Sequence, residues 1–174
     1  MRHENLPAET RKILSEVLNR SRERKVPDVG DCFFLDVPTS RPRSKLDHIL
    51  AAAIGRRGDA LICAKISLEY WNASEYDYML DPDEWSAGYP VIVEVWNSIL
   101  LKLPTPMLIH ASITTDSLEA IRSLFSLHQK GQRPPKDLPG IGKPLPDNPR
   151  HQGWKFRAKE ARMIERARKK YHEK

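Results

Sequence analysis

The apolar positions of this chain fall into two rhythms, one helical and one strand-like. Near the start, Ile13, Leu14, Val17 and Leu18 share one face of a 3.6-residue period, with Arg11, Lys12, Glu16 and Arg20 on the others. This predicts an N-terminal helix within residues 1–26. Pro7 suits its first turn, and Val26-Pro27 stops the pattern. From Val29 the rhythm shortens. Residues 32–37 (CFFLDV), 60–68 (ALICAKISL), 76–80, 91–96 (VIVEVW) and 107–113 read as strands, and the mostly apolar 60–68 fits a buried one. Residues 44–55 satisfy two templates. Ser44, Asp47 and the face Leu46, Ile49, Leu50 and Ala53 suit a helix ended by Gly55, whereas their place between two strand-like runs suits a strand.

Helical rhythm returns at residues 114–117 (TTDS). Asp116 and Glu119 have capping-box spacing, and Leu118, Ile121, Leu124, Phe125 and His128 form one face, ending near Gly131. Residues 133–149 hold six prolines, which predicts an extended linker over 131–153. A last helix is expected over 154–174, where Trp154, Ala158, Ala161, Ile164 and Tyr171 are sparse among Lys and Arg. The chain thus divides into an N-terminal helix (1–26), a β domain with its following helix (29–130), a linker (131–153) and a basic helical tail (154–174).

Charge sharpens that division. The net charge is +6 over 174 residues, but residues 31–128 carry 8 basic and 13 acidic groups while residues 129–174 carry 14 and 5. An acidic middle therefore stands beside a strongly basic end. The tail residues Lys155, Arg157, Arg162, Arg166, Lys169 and Lys170 are candidates for nucleic-acid binding through counterion release. An acidic face, on this protein or on a partner, would also accept them, and a solvated helix is the plain alternative. The longest apolar run, residues 49–54, is too short to span a membrane, and the first five residues lack the apolar core of a secretory signal. The two cysteines, Cys32 and Cys63, have no zinc-ligand spacing and suit buried thiols of a cytoplasmic protein. The string PGIGKP at 139–144 lacks a phosphate loop's spacing, and its prolines remove amide donors. Trp71, Trp85, Tyr76, Tyr78 and Tyr89 suit core or dimer packing, with base stacking as the rival use; His48 and His110 suit core positions.

The order of motifs from Val29 to His128 resembles the PemK/MazF family of toxin endoribonucleases. Gly30-Asp31, a strand ending Leu35-Asp36, and Pro38-Thr39 match the family's opening, one residue short. Ala64-Lys65-Ile66-Ser67, Tyr78-Met79-Leu80, Ala87-Gly88-Tyr89-Pro90, the strand 91–96 with Asn97, and Ile113-Thr114-Thr115-Asp116 follow in the family's order. The resemblance implies a mainly β fold, a small SH3-like barrel with flanking helices. It also implies metal- and cofactor-independent hydrolytic cleavage of single-stranded RNA in the cytoplasm, a homodimer, and an antitoxin-like protein partner. By position Ser67 takes the place of the family's catalytic hydroxyl. The family's Arg-Pro pair is replaced here by Leu46-Asp47, so Arg41, Arg43 or Lys45 would have to stabilise the phosphate. Loss of that pair leaves a non-catalytic nucleic-acid-binding or protein-interaction module on the same scaffold as the alternative.

Overall fold

The computed structural model describes residues 24–37, 47–102, 106–135 and 138–172. The expected N-terminal helix lies outside the described residues, as do Arg41, Arg43 and Lys45. Seven strands form one antiparallel sheet: β1 (Arg24–Lys25), β2 (Asp31–Val37), β3 (Asp47–Arg57), β4 (Ala60–Ser67), β5 (Asp77–Leu80), β6 (Val91–Leu101) and β7 (Met107–Ser112). Their order is β1-β7-β2-β3-β4-β6-β5. Two helices follow, α1 (Thr115–Gln129) and α2 (Gln152–His172). The protein is mainly β with helices, as expected.

Within the described part of that ambiguous segment, residues 47–55, the strand reading prevails, and the reason is tertiary. β3 is central, with Val37 to Cys32 opposite Asp47 to Ala52 on one side and Ala51 opposite Lys65 on the other. Both ladders satisfy its backbone groups, which a helix at that place would leave to their own turn.

Alternation along the central strands splits the apolar residues between two faces. Cys32, Ala52, Ile54, Ala64 and Ile66 point to one side, where Ile121 and Leu124 of α1 complete a core with Val91, Val93 and Val95. Phe33, Leu35, Val37, Ile49, Ala51, Ala53, Leu61 and Cys63 point to the other, where Ile164 and Ala167 of α2 cover them. Burial pushes the thiol of Cys63 up to about 12 and that of Cys32 up as well, so neither is a reactive thiolate. Helix α1 begins two residues before the expected capping box: Thr114 is its N-cap, and its Oγ1 accepts from the Ser117 amide at 3.5 Å.

Strand pairing does not close the sheet. Its ends, β1 and β5, are joined to no common neighbour among the described residues. The nearest approach to closure comes from residues 84–86. There Trp85 bridges Ile113, Ser86 N–H donates to Ser112 O at 2.9 Å, and Thr114 N–H donates to Glu84 O at 2.9 Å.

The proline-rich segment is extended, as its composition predicts, but it is docked. Met79 N–H donates to Gly140 O at 2.5 Å and Gly142 N–H to Asp77 O at 3.2 Å, so the segment caps the open edge of β5. Leu138 and Ile141 pack on the α1-side core. Gly142 is needed for this approach, because a Cβ there would overlap the backbone of Ala73 and Ser74. Gly142→Ala should therefore destabilise the fold by roughly 1–3 kcal/mol in chemical denaturation. Equal stability of wild type and Gly142→Ala would show that the segment is not held this way.

Candidate nucleic-acid interface

Helix α2 has two unlike faces. Gly153, Phe156, Glu160, Ile164 and Ala167 are buried against the sheet. Lys155, Lys159, Arg162, Arg166 and Lys169 are exposed, at successive spacings of four, three, four and three. That spacing keeps them on one stripe, a cation about every 5 Å along roughly 21 Å of helix. Phe156 and Ile164 each contribute roughly 1.5–3 kcal/mol by burial, so the helix is mounted with a fixed outer face. Of the stripe, Lys159 is also tied to the domain, its Nζ 3.1 Å from Glu69 Oε1.

Four of the six candidate cations, Lys155, Arg162, Arg166 and Lys169, lie on this outer face. The other two turn inward. Arg157 sets its guanidinium 4.4 Å above the Trp96 ring and 5.7 Å from that of Trp154. Lys170 reaches Asp36 at 3.4 Å, beside Tyr171, whose hydroxyl accepts from the Asp36 amide. Lys159 completes the stripe, and its sequence signal was the spacing itself. Part of the tail thus meets the domain's own acids, and the rest faces solvent.

Beneath α2 lies a buried ionic cluster that was not anticipated. Lys65 Nζ sits between Glu94 Oε1, at 3.4 Å, and Glu160 Oε2 of the helix. Asn97 donates to the other oxygen of Glu94 at 2.7 Å, and Lys65 also donates to Ile66 O at 3.3 Å. Burial is the largest cause raising the carboxyl of Glu94, opposed by the Lys65 charge. Nearby, Asp77 is wholly buried and accepts from Ser74 N–H at 2.7 Å, Ser74 Oγ–H at 2.5 Å and Trp96 Nε1–H at 2.7 Å. Desolvation nonetheless pushes its pKa up to about 6. A signal for this cluster did exist in the sequence, since Lys65 and Glu94 are single charges inside apolar strands.

Ser67 ends β4 on the same face as Lys65 and is 7% exposed. Its Oγ accepts from the Glu69 amide at 3.2 Å. Antiparallel pairing places the end of β4 beside the start of β3, so Ser67 and the strand ends that flank residues 38–46 share one end of the sheet. His48 corrects its expected core position: it is exposed and 3.0 Å from Asp36. His110 is half-buried and shares a hydrogen bond of 2.9 Å with the Tyr89 hydroxyl. Trp85 and Tyr78 are core residues, but Trp71 is 77% exposed.

No helix among the described residues is long and apolar enough to cross a membrane. The chain matches no protein-family model, and no characterised protein matches its sequence.

The buried acid sets a pH dependence. The unfolded chain releases the Asp77 proton near its ordinary value of about 4, whereas the folded protein holds it to about 6. The folded state therefore binds more protons in that window, and stability falls as pH rises through it, by roughly 3 kcal/mol for this group. Asp77→Asn should flatten that decline in denaturation series between pH 4 and 6. An unchanged slope would remove Asp77 as its source.

Proposed function

We propose that this protein is a nucleic-acid-binding module that grips the phosphate backbone with the outer face of α2, with cytoplasmic RNA as its natural ligand. The carrying observation is the rigid stripe Lys155, Lys159, Arg162, Arg166 and Lys169 on a helix whose opposite face is core. A linear array of guanidinium and ammonium groups neutralises phosphates without reading bases, and the displaced counterions drive binding. Buried partners fix the helix, so little ordering entropy opposes the contact. The excess of acidic over basic residues in residues 31–128 disfavours a polyanion on the rest of the domain.

A second reading keeps the chemistry: a metal-independent endoribonuclease acting on single-stranded RNA. On it, an SH3-like barrel would dimerise and bind an antitoxin-like partner, with Ser67 as positioned hydroxyl and Arg41, Arg43 or Lys45 stabilising the phosphate. What favours it is that Ser67 shares one end of the sheet with Val37 and Asp47, the strand ends between which the sequence carries Arg41, Arg43 and Lys45. What weighs against it is that Ser67 is buried, with its oxygen already accepting a backbone N–H. A phosphodiester would need that space.

The two readings part in one experiment with single-stranded RNA in chelator. The binding module holds the RNA intact. Replacing Arg162, Arg166 and Lys169 with Glu should weaken binding at least 100-fold and reduce the slope of log affinity against log salt by about 2–3, with the melting temperature retained. Cleavage that disappears in Ser67→Ala would establish the nuclease instead. Unchanged affinity in the triple variant would overturn the α2 interface.

A further inference from the structure

We propose that Trp71 is a base-stacking residue of this interface, and that the polynucleotide α2 receives there is therefore unpaired. The proposal rests on the α2 reading and adds to it the strandedness of the ligand. Among the described residues Trp71 is the most exposed large apolar side chain, 77% accessible, with Leu68 three positions before it at 66%. Neither position is loosely held. The 3-10 turn Tyr70–Asn72 that carries Trp71 is closed by Asn72 N–H to Glu69 O at 2.9 Å and Ala73 N–H to Tyr70 O at 3.3 Å. The Tyr70 hydroxyl is anchored on Asp81 at 3.3 Å. A large indole presented to water on a braced turn forgoes the burial that its surface would otherwise gain.

Its neighbour decides what it could receive. Glu69, two residues before Trp71, holds Lys159 of the stripe at 3.1 Å, and Asn72 donates to the other oxygen of Glu69 at 2.9 Å. The indole is thus tied through one ion pair to the N-terminal half of the cationic row. The same pair offsets the acid that would otherwise repel a phosphate there. An aromatic face beside a linear row of cations is the combination that holds a single strand: the cations follow the backbone, and a base turned from it stacks on the ring. A duplex keeps its bases within the stack and offers the indole only its rim. A lipid surface would take Trp71 and Leu68 too, but a row one residue wide along a helix matches a linear polyanion better than a plane of headgroups.

The test compares a fluorescein-labelled oligo(dT), a duplex of equal length, and vesicles containing phosphatidylserine. Trp71→Ala should weaken oligo(dT) binding by between about five- and one-hundredfold and leave duplex affinity unchanged, and Trp71→Phe should restore most of the loss. Equal losses on single strand and duplex, or no loss on either, would overturn the stacking role. So would release of Trp71→Ala from vesicles with oligonucleotide binding intact. The failures separate cleanly: if charge reversal of Arg162, Arg166 and Lys169 leaves all binding intact, the α2 interface itself is wrong. If that variant abolishes binding and Trp71→Ala does nothing, only the stacking role falls.

Discussion

The structure depends on one constraint: a sheet whose central strands are apolar on both faces must be covered twice. β2, β3 and β4 send alternate residues to opposite sides, and each side presents large side chains that water would penalise by several kcal/mol if left open. Helix α1 covers one side because it follows β7 directly. The other side waits for α2, delivered over the sheet edge by the proline-rich segment. The most basic stretch of the chain is therefore part of the core as well as its most charged surface. A helix with both duties has a defined inward face, and everything argued about its outward face follows from that.

Hydrophobic contact alone leaves a helix free to slide or rotate on a flat apolar sheet. The buried group of Lys65, Glu94 and Glu160 restricts it, since displacing Glu160 would strand a buried ammonium beside a single carboxylate. Arg157 over Trp96 adds a second fixed point three residues, just under one turn, away on the helix. Such groups add little net stability against apolar replacements, but they penalise wrong registers heavily. This register sets Lys155, Arg162, Arg166 and Lys169 outward, and it places Lys159 against Glu69 at the foot of the turn that carries Trp71.

Much of the fold was legible because it rests on local rules. The strand runs, the helix after β7 and the extended proline-rich stretch all follow from period and composition. Residues 44–55 were not settled, since a capping pattern and an apolar run are equally good local evidence until two ladders compete for the backbone. The basic surface was legible as composition, yet Arg157 and Lys170 turned inward because Trp96 and Asp36 lie across the interface. The exposure of Trp71 was hidden for the same reason: an indole in an aromatic-rich stretch reads as core, and only the turn's position at the sheet end leaves it in water.

By itself, then, the sequence determined a mainly β protein with an acidic domain and a cationic helical end, because charge and apolar spacing are properties of the chain that any fold must respect. Tertiary structure decided which cations reach solvent, that Ser67 is buried, and that the turn carrying an exposed aromatic is tied to the cationic row. These are relations between residues as far as 135 positions apart, as with Asp36 and Tyr171. No local pattern encodes them, because they arise only when burial of the second sheet face brings the end of the chain back onto its middle.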